Sequence, residues 1–196
     1  MKHLHSIVRV CVAMCLLAGT VFAQTGASIE PVLAEILEEL RGDGWSADEL
    51  QRFASSASGL DWRLVEGVRP DIVALALSYV RSESSDTESD NVALLAFEIA
   101  RSSRAMQDLG FRTADIARTT NSVARETLAD MGQPHGNAAN IVEIVHAHLS
   151  TNIQNMGRMS AGRRGPGMAA RVLDQIRGMT PVDFDEMPPF NPPMGP

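Results

Sequence analysis

Apolar residues recur at three- and four-residue spacing along most of the chain, and the punctuation between these stretches is that of helix ends, so the pattern predicts an all-α protein. The first stretch carries Ile29, Val32, Leu33, Ile36, Leu37 and Leu40 on one face. Ser28 is its expected N-cap, Pro31 fits a first turn where no amide donor is needed, and Arg41-Gly42 marks its end. Ser46-Ala47-Asp48-Glu49 has the order of a capping box and opens a helix through Leu50, Phe53 and Ala57. Gly59 breaks the pattern, and a short helical turn is expected around residues 61–65. Pro70 opens a third helix, on which Ile72, Val73, Leu75, Ala76, Leu77, Tyr79 and Val80 cover most of the circumference, as on a helix at the centre of the packing.

Residues 82–90 hold serines and acids without an apolar side chain and are expected to form an exposed loop, with Asp90 capping a helix over about 91–109 that carries Val92, Leu94, Leu95, Phe97, Ile99 and Met106. Gly110 closes it, and Thr113 caps a helix over 114–131 that stops at Gly132, before Pro134. After a turn at 132–136, Asn137 or Asn140 caps a helix carrying Ile141, Val142, Ile144, Val145, Leu149 and Ile153. Residues 156–167, rich in glycine and arginine, form a connection, and Met168, Val172, Leu173, Ile176 and Met179 outline a last helix. From Thr180 the chain turns proline-rich and acidic, with too little apolar surface to offset chain entropy, so a disordered tail is expected over 180–196. The fold expected is an irregular bundle of about six to eight helices. Asp-x-Val-Ala-Leu occurs at 71–75 and again at 90–94, each time opening a helix, but the interval is shorter than the roughly 33 to 47 residues of common two-helix repeats.

The N-terminus lies outside that pattern. Lys2 and Arg9 precede an apolar run from Val10 to Leu17, and Val21-Phe22-Ala23 ends the segment, so residues 1–23 have the order of a signal peptide cut after Ala23. A helical domain over 24–179 and the tail over 180–196 then follow, in a periplasmic or secreted protein. Cys11 and Cys15 both fall in the leader, so the mature chain holds no thiol for a disulfide, a thiolate metal site or a nucleophile. Losing Lys2 and Arg9 leaves 15 basic residues, all arginine, against 24 acidic ones, a balance of −9. Such a charge disfavours nucleic acid and anionic membrane surfaces, and no later apolar run of about eighteen residues predicts a membrane span.

Candidate chemistry is sparse. Glu143 and His146 stand at the spacing of the Glu-x-x-His pairs of di-iron bundles, but one such pair is too few. On a helix His146 and His148 diverge by about 200°, and with His135 in a turn they are expected to be solvated surface side chains. Met156 and Met159, with Met168, Met179, Met187 and Met194 further along, offer thioethers that with a histidine suit copper, while the same residue also fills gaps in aromatic-poor cores. Arg163 and Arg164 among glycines precede a helix start, a setting for an anion, without the Gly-Lys-Ser/Thr of a phosphate loop. Residues 110–128 can be aligned with a helix-turn-helix but lack the turn glycine, so one continuous helix is expected.

Glu83-Ser84, at the end of the helix opened by Pro70, resembles the Glu-Ser that ends the catalytic helix of the lytic transglycosylase family. That resemblance implies a general-acid glutamate in an apolar pocket. Here an acidic, polar segment follows Glu83, and the Gly-Leu-Met-Gln element of the family is missing. The sequence therefore assigns no catalytic, cofactor or metal residue. The function expected is that of an exported helical binding or structural module whose partner is another envelope protein, with copper binding and glycan hydrolysis as alternatives. Pro-Pro-Phe-Asn-Pro-Pro in the tail is an extended segment with one aromatic, a form suited to docking in a groove.

Overall fold

The computed structural model describes residues 30–83, 89–131, 141–159 and 167–179. Among them the chain forms seven α-helices and one 3-10 turn: α1 (Pro31–Gly42), α2 (Ala47–Ala57), the turn (Trp62–Val65), α3 (Pro70–Glu83), α4 (Ser89–Asp108), α5 (Thr113–Met131), α6 (Ile141–Met159) and α7 (Met168–Gly178). No strand occurs among the described residues. The expected leader (1–23), the middle of the expected loop (84–88), the turn with His135, Asn137 and Asn140, the segment with Arg163 and Arg164, and the tail (180–196) lie outside them.

The architecture is a hub and a ring. Helices α2, α3, α5, α6 and α7 and the 3-10 turn all pack on α4, while α2 meets α1, α1 meets α3, α3 meets α5, α5 meets α6 and α6 meets α7. Five helices thus flank α4, and α1 packs outside them, on α2, α3 and the 3-10 turn. From Leu95 to Met106 every residue of α4 except Arg104 is buried. Ala93, Ala96, Ala100, Ser102, Ser103 and Ala105 keep this helix thin enough for its neighbours to close in.

This corrects the expectation that the helix opened by Pro70 is central. α3 packs on α1, α4 and α5 and leaves Leu75 51% exposed. Large apolar residues marked α3, whereas the helix that is enclosed is built around alanine and serine, which contribute little to a hydrophobic pattern.

Several local signals act as the chemistry requires. Ser46 Oγ accepts from the Glu49 amide at 3.3 Å while Glu49 Oε2 accepts from the Ser46 amide at 2.7 Å, the reciprocal capping box. Trp62 buries its ring edge-on to Phe97, 5.3 Å between centroids, and its indole N–H donates to the Ala57 carbonyl at 2.8 Å, which ties the end of α2 and the turn to the hub. α5 is one continuous helix, in place of a helix-turn-helix.

Other ends differ from expectation. Pro31 does open α1, but Glu30 holds the N-cap position and Ser28 lies outside the described residues. The helix runs through Gly42, and the left-handed residue beyond it is Gly44, at φ 84°. α4 starts at Ser89, so Asp90 sits within the first turn, where its carboxylate suits the positive helix end. α6 continues to Met159, through residues expected to begin a connection.

Candidate functional site

The middle of α4 carries an acid and a base where the ring encloses it. Glu98 and Arg101 are three residues apart on one helix face, with side chains only 1% and 3% exposed, and Arg101 Nη1 meets Glu98 Oε1 at 2.5 Å. Arg101 Nη2 donates to the Ile176 carbonyl in the last turn of α7 at 2.7 Å, a cation at the negative end of that helix. The guanidinium also lies 5.8 Å from the centroid of the Phe97 ring. One arginine therefore joins the hub to the C-terminal helix.

The second carboxylate oxygen faces α6. Glu98 Oε2 is 3.3 Å from His146 Nε2, but the two are not aligned as a hydrogen bond, and neither atom has another hydrogen-bond partner among the described residues. The Ser102 hydroxyl, one turn after Glu98, is likewise buried without a partner among them. Carboxylate, imidazole and hydroxyl are the groups of acid–base chemistry. A dication between Glu98 and His146 would have two protein donors and would face the Arg101 guanidinium, an arrangement that repels it.

His148 points elsewhere on α6. Its Nε2 is 2.8 Å from Asp130 Oδ2 and its Nδ1 3.1 Å from Glu126 Oε2, both on α5, and Asn152 Nδ2 donates to the same Glu126 oxygen at 2.8 Å. The two carboxylates address opposite edges of the ring, so these three side chains share no common point. Among the described residues no group of three or more metal-ligating side chains converges. The histidines diverge as helical geometry requires, but the expectation that both are solvated is corrected. Their side chains are 21% and 23% exposed and both face carboxylates.

No family model, curated protein or solved structure matches this chain. Its candidate sites stand on their own geometry.

Of the residues singled out for copper, Met168 and Met179 pack against the core, as does Met156, whose sulfur accepts from the Thr119 hydroxyl at 3.5 Å. The Met159 side chain, Met187 and Met194 lie outside the described residues. Glu83 is the last residue of α3, and its side chain also lies outside them. Sequence reasoning missed Glu98 and Arg101. The signal was there: opposite charges three apart inside Ala96-Phe97-Glu98-Ile99-Ala100-Arg101, a stretch apolar on every other side.

Proposed function

We propose that this chain is an exported helical module that binds another protein of the envelope through its outer helix faces. One observation supports the reading above others: apolar side chains are turned inward, while the outward positions are charged, with arginines such as Arg63, Arg112 and Arg177 among the acids and an acidic cluster on α1. Leu75 is the large hydrophobic residue exposed among the described ones, and the outer face of α1 presents Glu35, Glu38 and Glu39. Scattered single apolar residues make no hydrophobic interface, so a partner docking on the α1 face presents complementary basic groups. The leader-like residues 1–23 support export and cleavage near Ala23.

The test is affinity capture from the native envelope with residues 24–196 as bait, beside a copy ending at Met179. A partner held by both baits and released by raising salt from about 0.05 to 0.5 M supports docking on the acidic helix faces. Loss on truncation moves the interaction to the tail, and capture of nothing specific by either bait removes the reading.

A further inference from the structure

We infer that α7 is a lid over the Glu98–Arg101 pair, undocking as a unit while the other helices stay folded. The inference stands apart from the proposed binding role. α7 seats on α4 and α6 through three buried side chains, Ala169, Val172 and Ile176, with Met168, Leu173 and Met179 partly buried beside them; α1 buries five, and α2 buries three but is held by its capping box. Its start has no side-chain cap: the N-cap residue is Gly167, at φ 127°. An eleven-residue helix is marginal in water once detached, so undocking and melting are coupled. Among the described residues its long-range polar tie is the bond from Arg101 to the Ile176 carbonyl.

What lies beneath favours opening. A buried ion pair is held at a desolvation cost that its mutual attraction only partly offsets, and the cost is larger where one carboxylate oxygen lacks a hydrogen bond. Glu98 Oε2 is such an oxygen. When α7 leaves, water reaches Arg101, which gives up its bond to the Ile176 carbonyl, and through it the Glu98 oxygen it pairs with, and this offsets part of the lost apolar burial. α6 faces the same pair through His146, but it is nineteen residues long and packs on α4, α5 and α7, whereas α7 has eleven residues and packs on α4 and α6. Opening the lid therefore costs less than opening the rest of the ring, and the surface it uncovers on α4 and α6 carries a carboxylate, a guanidinium and an imidazole.

Native-state hydrogen exchange on the full chain, read at increasing sub-denaturing urea, tests this directly. The amides of α7 are expected to exchange together through an opening that urea promotes measurably but less steeply than global unfolding, at least roughly tenfold faster than those at the centre of α4. Arg101, labelled with an arginine-selective dicarbonyl and followed by mass spectrometry, is expected to react at the rate of that opening. Ile176→Ala should accelerate α7 exchange and Arg101 labelling together, by roughly tenfold or more, and leave the α1 and α3 amides unchanged. The inference is overturned if α7 shares the protection and urea dependence of α4. It is equally overturned if Arg101 is labelled only on global unfolding, or if Ile176→Ala speeds every helix alike. The unsubstituted chain alone decides the first two outcomes, so poor folding of the variant does not leave the question open.

Discussion

Removing one member of the Glu98–Arg101 pair strands the other as a charge almost wholly out of water. Arg101→Met is expected to cost about 3–5 kcal/mol, measured by urea unfolding, because Glu98 is left buried and unpaired. Glu98→Leu added to Arg101→Met should recover part of that loss, since an apolar pair needs no desolvation. A double variant weaker than Arg101→Met alone would show that the two charges are net stabilising as a pair. Gly67 is a second position where chemistry permits one residue. Its φ is 80°, and an added Cβ would lie 2.5 Å from Arg104 Nη1, whose donation to the Glu66 carbonyl at 2.6 Å holds this loop on α4. Gly67→Ala is expected to cost about 1–3 kcal/mol in the same measurement, through backbone strain and displacement of that arginine. None of these three residues was singled out from sequence. A glutamate between phenylalanine and isoleucine is scored as the polar face of a helix until its neighbours on all sides are known, and the Gly67 requirement is set by an arginine far along the chain.

Helix ends were legible where a side chain bonds its own backbone. The Ser46 box depends on four consecutive residues, so sequence contains the whole interaction, and Ser46→Ala is expected to lower stability by about 1 kcal/mol. Ends set by tertiary packing, such as the extension of α6 to Met159, were not legible. Two neighbouring-residue pairs bear on acid stability. A hydrogen bond from Arg63 holds the Asp61 carboxyl below the ordinary aspartate range at the start of the 3-10 turn, and Arg69 does the same for Asp71 in the first turn of α3. A pKa depressed in the folded state contributes stability that is complete above the ordinary value and is lost as pH falls through the folded one. Thermal midpoints should therefore decline below about pH 4, and Asp61→Asn with Asp71→Asn should shallow that decline. Both carboxylates are partly exposed, so the effect is small.

The ring around α4 makes the width of one helix a property of the whole protein. Ala100 is fully buried at its centre, and Ala100→Leu would press on a surface that five helices share. Its expected cost is about 1–3 kcal/mol or more, against little change for Ala170→Leu on the exposed side of α7, compared by thermal unfolding. That the chain is a helical bundle was legible, because apolar spacing and turn residues repeat the same message in every segment. Which helix forms the hub was not, because that depends on how small its side chains are rather than on how apolar. The two tryptophans give this layout an optical signature. Trp62, 1% exposed against Phe97 and thus one ring away from Arg101, should emit at short wavelength, while Trp45, at the α1–α2 corner, is half-buried. Fluorescence of a Trp45→Phe chain therefore isolates a single chromophore next to the hub, and a red shift that sets in before the helical signal falls would make the interior's first contact with solvent visible as colour.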